Sequence, residues 1–199
     1  VLLVPTGGAA MRERILKETV SLIRQKGFSF TVADLAKNLG TSKRTIYRCF
    51  ASKDEIIEAI IKDVTARISA KEKEIAGRND WSVPEKIRRI LCYVPAEFAL
   101  MHPPLFSDLK KHHYRQWEIL DDFLKNEWST VRRLMDEGIK QGALRPVDVE
   151  VFIDLYLGAV SRIFDPGSAP RETMTVGQQL QAAVDILLNG IVSRSEKGE

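Results

Sequence analysis

Two short amphipathic segments lie close together near the start of the chain. Their apolar residues recur with the spacing of one face of a helix, and they are Val32, Leu35, Ala36, Leu39, Ile46, Cys49 and Phe50. Gly40 falls between the segments, where a residue with positive φ would end the first helix, and Thr41 with Ser42 offers a hydroxyl cap for the second. Two short helices joined by a glycine-containing turn form a helix-turn-helix.

Longer amphipathic helices are predicted on both sides of this unit. Residues 12–26 form one that ends at Gly27, and residues 52–75 form another. Thr31 followed by Asp34 is a variant of the capping box, so the first helix of the helix-turn-helix begins at Thr31. The helix at 12–26 and the two short helices are expected to pack together as a three-helix head. Its predicted core comprises Phe28, Phe30, Leu35, Ile46 and Phe50.

The rest of the chain is predicted to be helical as well. Residues 84–101 form an amphipathic helix that Pro95 should kink or split, because proline removes a helical hydrogen bond and clashes with the preceding turn. Residues 117–141 form one long helix, and residues 148–164 and 176–192 form two strongly apolar ones separated by a loop.

We therefore expect an all-α fold, with an N-terminal helix-turn-helix head and a C-terminal helical body. The predicted parts are a disordered leader at residues 1–11, the helix-turn-helix head at 12–58 and the helical body at 59–199. The helix at 52–75 would belong to both domains, so rotation of the body would move the head.

Composition narrows the class of protein. Of 199 residues, 44% are hydrophobic, which is enough for a packed core, and the two cysteines lack the spacing of a disulfide framework or a metal site. No apolar run reaches the roughly 20 residues that span a bilayer. We expect no membrane partner and a cytoplasmic location.

Positive charge is concentrated at the helix-turn-helix end. Residues 1–58 contain ten Lys and Arg against six Asp and Glu, whereas residues 59–199 contain twenty against twenty-one. Between Gly40 and Lys53 there are four basic residues and no acidic one. A helix that begins with cations and hydroxyls is typical of a recognition helix, whose first residues reach base edges while neighbouring groups hold phosphates. The pattern predicts a double-stranded DNA operator as the partner, and a helical hairpin with a basic surface is the alternative.

The residues of the head, taken together, resemble the DNA-binding domain of the TetR family of bacterial transcriptional repressors. Those that carry the resemblance are Gly27, Phe28, Thr31, Ala36, Gly40, Ser42, Thr45, Ile46, Tyr47, Phe50 and the run Ser52-Lys53-Asp54-Glu55. The resemblance implies that Thr45, Tyr47 and Lys53 contact phosphates. It also implies that early residues of the second helix, Lys43 and Arg44, read bases. The candidate DNA-binding residues are Thr31, Ser42, Lys43, Arg44, Thr45, Tyr47, Arg48 and Lys53.

The last two helices are expected to form a homodimer interface. Their apolar residues cover more than one face, which one small body cannot easily bury, and the resemblance implies that the pair packs against its copy as a four-helix bundle. The alternative is that the pair closes the body's own core. The candidate interface residues are Phe152, Tyr156, Val160, Leu180, Val184, Leu187 and Leu188.

A small-molecule effector is expected to bind the body, as the resemblance implies. Aromatic residues and Met on the helices at 84–101 and 117–141 come together there with few charges, which favours an apolar or aromatic ligand. An ordinary core contains the same residue types. The candidate ligand-binding residues are Tyr93, Phe98, Met101, His102, Phe106, Trp117, Phe123 and Trp128.

No catalytic motif stands out in the sequence. It contains three histidines and neither a Gly-rich phosphate loop nor a nucleophile elbow. Asp108 and His112, with His113 beside them, could offer a metal two ligands from one helical face, but a solvated polar run is the better interpretation because further ligands are not evident. We expect a non-enzyme with no cofactor and no metal.

These observations predict a homodimeric repressor that binds a palindromic operator and is released when a small molecule binds the body. Two alternatives stay open. One is an all-helical ligand-binding protein or enzyme without operator binding, and the other is a DNA-binding dimer without an effector.

Overall fold

The computed structural model describes residues 7–101, 104–164 and 174–191, with the backbone alone described at 104–107. The fold is all-α. In chain order the helices of the described residues are α1 (Gly7–Lys26), α2 (Val32–Asn38), α3 (Lys43–Cys49), α4 (Lys53–Ala76), α5 (Val83–Leu91), α6 (Ala96–Ala99), α7 (Pro104–His112), α8 (Tyr114–Asn126), α9 (Ser129–Lys140), α10 (Val149–Phe164) and α11 (Val176–Asn189). One turn of 3-10 helix, Gly27–Ser29, joins α1 to α2.

The chain divides into two compact units. The head unit consists of residues 1–65 and 104–121, and the body unit of residues 66–103 and 122–199. The sequence predicted a boundary after residue 58 with all later residues in the body, whereas helix α7 and the start of α8 belong to the head unit. The spacing of apolar residues predicts a helix but does not identify the element against which that helix packs.

The head unit is built around helix α1, which packs against α2 and α3. Its innermost residues are at most 2% exposed, and they are Ile15, Leu22, Ile23, Phe30, Leu35, Ile46, Phe50, Ile56 and Ile57. Thr19 is buried among them, and its hydroxyl donates to the Ile15 carbonyl at 2.8 Å, so this polar group is satisfied. Four of the five core residues predicted for the head are buried, and Phe28 is partly exposed.

In the body unit, α5 packs against α9, while α11 packs against α5, α6 and α10. Helix α9 packs closely against Leu144 and Val83 at Gly138. A Cβ placed there would lie 2.7 Å from Leu144 Cδ1 and 3.0 Å from Val83 Cγ1, closer than packed atoms tolerate. A larger residue at this position would force the Leu144 or Val83 side chain to move.

The predicted break near Pro95 is confirmed. Helix α5 ends at Leu91, and α6 begins at Ala96 with Pro95 at its N-terminal flank. The Leu91 carbonyl, near the broken end, accepts a hydrogen bond of 2.8 Å from the buried hydroxyl of Tyr156. Burial raises the pKa of this hydroxyl, which keeps it a donor.

The prediction of one long helix over residues 117–141 is wrong. The structure has two helices, α8 and α9, separated at Glu127 and Trp128. The Trp128 indole N–H donates to the Leu124 carbonyl at 2.7 Å, and its ring meets the Tyr156 ring edge-on with centroids 5.4 Å apart. The side chain thus occupies the carbonyl that the Trp128 backbone N–H would use in a continuous helix.

The first helix begins earlier than predicted. Helix α1 starts at Gly7, so residues 7–11 are helical rather than part of a disordered leader, and residues 1–6 lie outside the described residues. The last two helices are confirmed within a few residues of their predicted ends, whereas the predicted loop between them lies outside the described residues.

Candidate nucleic-acid interface

Helix α2 is fixed at its start by a complete capping box. The Thr31 side chain accepts from the Asp34 backbone N–H at 3.1 Å, and the Thr31 N–H donates to the Asp34 carboxylate at 2.9 Å. Lys26 pairs with the same carboxylate at 3.0 Å. The Thr31 N–H and then Lys26 lower the pKa of Asp34 to about 2. The predicted start of the helix at Thr31 is confirmed, and Thr31 itself is exposed there.

The turn between α2 and α3 depends on Gly40. Its φ is +61°, in the left-handed region that glycine adopts without strain. The Gly40 N–H donates to the Lys37 carbonyl at 3.1 Å and the Thr41 N–H to the Ala36 carbonyl at 2.9 Å. These bonds satisfy the last carbonyls of α2 and set the direction in which α3 begins.

Helix α3 begins after Ser42, whose side chain accepts from the Thr45 N–H at 3.1 Å. Ile46 is fully buried in the head, and Phe50 is 1% exposed just after the helix. The opposite face is solvent-exposed, and it consists of Ser42, Lys43, Arg44, Tyr47 and Arg48, with Thr45 at its edge.

The charges on this exposed face are unneutralised. Lys43, Arg44 and Arg48 make no ion pair or hydrogen bond with any residue that the structure describes. Tyr47 is 50% exposed on the same face as these cations. The far end of the helix is held by Arg12, whose guanidinium donates to the Cys49 carbonyl at 2.9 Å and lies 4.0 Å from the Phe50 ring centroid. The result is a helix, held at both ends, that presents three cations, an aromatic ring and hydroxyls to solvent.

Lys53 is the predicted DNA-binding residue that the structure places differently. Its ammonium donates to the Phe28 carbonyl and lies 4.5 Å from the Phe30 ring centroid. Burial lowers the pKa of Lys53, and the neighbouring Asp54 opposes that effect. In this arrangement the amine supports the 3-10 turn, and a phosphate contact would require it to leave the Phe28 carbonyl. The sequence showed the charge of Lys53 but not this acceptor, because the acceptor is a backbone group 25 residues away.

The predicted dimer-interface residues are mostly interior. Six of the seven are buried in the chain's own body, namely Phe152, Tyr156, Val160, Leu180, Val184 and Leu188, and Leu187 is partly exposed. Each of these six side chains is at most 7% exposed in the single chain. The solvent face of the same helix pair carries other apolar residues, which the sequence analysis did not select: Val151, Leu155 and Ile186, each more than half exposed.

The predicted ligand-binding residues fall in different units. Tyr93, Phe98, Met101, Phe123 and Trp128 belong to the body unit, whereas Phe106 and Trp117 belong to the head unit. Phe98, Met101 and Trp128 are buried, and Tyr93 and Phe123 are partly exposed. His102 lies outside the described residues, and so does the side chain of Phe106. Helix spacing did not reveal that α7 and the first part of α8 pack with the head.

The described residues also bear on two other kinds of site, a metal centre and a membrane span. In the described ranges, no three His, Cys, Asp or Glu side chains come together as metal ligands would. His113, one of the histidines considered for a metal, instead lies with its Nδ1 2.9 Å from Asp54 Oδ1. Among the helices that the structure describes, none has the length and apolar character needed to cross a membrane.

Comparison with known proteins supports the geometry of the head. Residues 15–60 match the model of the family described as bacterial regulatory proteins, tetR family. The whole chain is similar to the uncharacterised HTH-type transcriptional regulator YvaF of Bacillus subtilis, with 39% identity over 94% of this chain and 98% of that protein.

More distant similarities extend over most of the chain. The HTH-type transcriptional repressor KstR2 of Mycolicibacterium smegmatis is 24% identical over 94% of this chain and 93% of its own. The crystal structure of the transcriptional regulator FadR from Bacillus subtilis, in complex with stearoyl-CoA, has a TM-score of 0.60 at 17% identity, covering 89% of this chain and 98% of FadR. At that identity the second similarity concerns the fold alone.

Proposed function

The chain belongs to the TetR family of bacterial regulatory proteins, whose members are helix-turn-helix transcriptional regulators, and we propose that it is a repressor that binds a palindromic operator as a homodimer. The observation that carries the proposal is the exposed face of α3, where Lys43, Arg44 and Arg48 have no acidic partner among the described residues. A DNA-binding regulator acts where the chromosome is, so the proposal includes a cytoplasmic location.

The start of α3 is the proposed base-reading element. Lys43 and Arg44 occupy its first two positions, and the first residues of a recognition helix are those that reach base edges in the major groove. Arg and Lys pair best with the O6 and N7 acceptors of guanine. Thr31, Ser42, Thr45, Tyr47 and Arg48 lie around them and are proposed to hold phosphates.

The proposed dimer interface uses the solvent face of α10 and α11. Val151, Leu155 and Gly158 follow one another at helical spacing on α10, and Ile186 is exposed on α11. A Cβ added to Gly158 would have no neighbour within 4 Å, so this surface is open and flat enough for another helix to approach. An isologous contact of this face with its copy would bury these apolar side chains and present two heads to two half-sites.

The body is the proposed site of a small-molecule effector with apolar or aromatic character. Support comes from the apolar and aromatic residues of the body unit, Tyr93, Phe98, Met101, Phe123 and Trp128. FadR, which has this fold, binds stearoyl-CoA, so the fold can accommodate a long acyl chain. Helix α4 contains residues of both units, and the proposed release is a shift of α4 that changes the spacing of the two heads.

The experiment begins with selection of binding sites from a pool of random DNA duplexes, because the operator need not be known beforehand. We expect enrichment of a palindrome with half-sites about one helical turn apart or a multiple of it. Gel-shift titrations at several salt concentrations then measure affinity, which should fall steeply as salt rises. If no sequence is enriched, the proposed function is wrong.

The effector is tested on the selected duplex. Long-chain acyl-CoA thioesters and apolar aromatic acids are titrated into the complex, with thermal shift of the free protein as a parallel readout. A compound that raises the melting temperature and releases the DNA supports a ligand-responsive repressor. A DNA complex that no compound dissociates would favour the dimer without an effector.

A further inference from the structure

A second group of basic side chains lies in the head unit, outside the helix-turn-helix. Lys110 and Lys111 lie in the last turn of helix α7, Arg115 follows the first residue of α8, and all three are exposed. The exposed ring of Tyr114 lies between them along the chain. No acidic residue occurs from residue 109 to residue 117, and Asp108 and Glu118 flank the run. We call residues 110–115 the basic junction.

The basic junction is attached to the head through His113. The His113 Nδ1 lies 2.9 Å from Asp54 Oδ1, and the imidazole ring packs against the Phe28 ring with centroids 5.6 Å apart. Helix α7 also packs against the 3-10 turn at Gly27–Ser29. Leu109, one turn before His113, is 3% exposed and anchors the junction from within.

This attachment places the junction near the start of α2, which belongs to the proposed DNA surface, and near the start of α4. Phe28 precedes Thr31 by three residues, and Thr31 caps the exposed start of α2. Asp54 lies in the first turn of α4, directly after Lys53. The exposed start of α2 is where this part of the head offers polar groups to phosphates, whereas Lys53 at the start of α4 is held by the Phe28 carbonyl.

Two cations of the junction, Lys111 and Arg115, lie close to its attachment point at His113. Lys111 and Arg115 are each two residues from His113, so their Cα atoms lie within about 8 Å of the His113 Cα, given about 3.8 Å between consecutive Cα atoms. Their long side chains extend farther.

The cations of the junction differ in their own contacts. The Lys110 ammonium lies 5.5 Å from the Trp117 ring centroid, so it has a partner within the head. Lys111 and Arg115 have no ion pair or hydrogen-bond partner among the residues that the structure describes. A phosphate contact made by these two would break no existing interaction and would release counterions from DNA.

We propose that Lys111 and Arg115, with the Tyr114 hydroxyl between them, bind phosphates of the operator just outside the base pairs read by α3. The junction of α7 and α8 then forms a second DNA-contacting element of the head, which strengthens binding without selecting bases. The inference rests on the proposed function, since it extends the same DNA surface.

The first test is the salt dependence of binding to the selected duplex. The variant Lys111→Gln/Arg115→Gln removes two charges from each chain and is compared with Arg133→Gln/Lys140→Gln, which removes two exposed charges from α9. Each lost phosphate contact lowers the slope of log Kd against log salt by about 0.9, so the junction variant should lose roughly 2 per subunit and bind at least about tenfold more weakly at 100 mM salt. The α9 variant should keep the wild-type slope.

A second measurement does not depend on how well the variant folds. Hydroxyl-radical footprinting of the wild-type complex should show protection of about two to four nucleotides beyond each half-site. Shortening the duplex to the half-sites alone should weaken wild-type binding. A wild-type slope in the junction variant, or a footprint confined to the half-sites, overturns the inference while leaving the proposed function in place. Failure of the wild-type chain to select any DNA overturns both.

Discussion

Helix α3 carries the proposed DNA surface, and the helix pair α10–α11 carries the proposed dimer surface. The sequence predicted the exposed residues of α3 correctly but not those of the helix pair. On α3 the cations Lys43, Arg44 and Arg48 are exposed as predicted, because the cost of burying an unpaired charge forces such residues to the surface. On the helix pair the apolar residues are divided between the interior and solvent, and six of the seven chosen as interface residues are interior. Charge therefore identifies an outer face from sequence, whereas apolar character does not.

The largest expected effect concerns the outer face of α3. Replacing both Lys43 and Arg44 with Ala removes the two proposed base readers, each worth about 1–3 kcal/mol of discrimination, so affinity for the selected duplex should fall about 30-fold to more than 1,000-fold. Selection repeated with the variant should yield a different or degenerate sequence.

The matched control for this change is Tyr47→Phe, which removes one proposed phosphate hydrogen bond from the same face. It should weaken all duplexes about equally, by roughly threefold to tenfold. If the two variants lose affinity alike on every sequence, the assignment of base readers and phosphate contacts on α3 is incorrect.

The second-largest expected effect distinguishes the solvent-exposed side of helices α10 and α11 from their buried side. Leu155 is 57% exposed and Leu188 is fully buried. Leu155→Arg places a charge in the proposed interface and should convert the dimer to a monomer in light scattering, with the unfolding transition of the chain preserved, because an unpaired charge is costly to bury.

Leu188→Ala is the counterpart inside the body. It should lower the free energy of unfolding by about 2–5 kcal/mol, because it leaves a cavity in the core. A Leu155→Arg chain that stays dimeric at micromolar concentration contradicts the proposed interface, whichever result Leu188→Ala gives.

The sequence predicted those features of the fold that depend on neighbouring residues in the chain. Local signals were reliable: Thr31 with Asp34 caps α2, Gly40 and Gly27 adopt positive φ, and Pro95 separates two helices. Each of these signals acts within a few residues of itself, so no knowledge of the tertiary structure is needed to interpret it.

Contacts between distant residues were not predicted. The Trp128 ring at the break before α9 packs against Tyr156, and Lys53 is turned inward by a carbonyl of the 3-10 turn. The packing of α7 against that turn, which moves residues 104–121 into the head unit, also lies beyond the reach of helical periodicity. Such contacts depend on which elements become neighbours, and sequence spacing does not state this.

A smaller effect is expected inside the body, where Tyr156 serves the fold and not the interface. Tyr156→Phe leaves the Leu91 carbonyl without its donor, which should cost about 1–3 kcal/mol of unfolding free energy in urea denaturation. The oligomeric state should not change. A variant as stable as the wild type would mean that the hydroxyl is not buried against that carbonyl in solution.

The smallest effect concerns the capping box of α2. Because the folded pKa of Asp34 lies at about 2, below its ordinary value of 3.8, its ionised form stabilises the head above about pH 4, and this contribution is lost as pH falls towards 2. Wild-type stability should therefore decline more between pH 4 and pH 2 than that of Asp34→Asn, as measured by thermal unfolding at each pH. Parallel declines would show that the Thr31 and Lys26 contacts do not hold in solution.

Photocrosslinking from α3 tests the central claim most directly. Tyr47 is exchanged for the photoreactive residue p-benzoylphenylalanine, and the chain is irradiated with the selected duplex and, in parallel, with an unrelated duplex of equal length. We expect a covalent adduct at a base or sugar within each half-site, formed with the selected duplex only. Adducts formed equally with both duplexes, or an intact complex without an adduct, would mean that this helix does not lie in the groove that carries the sequence.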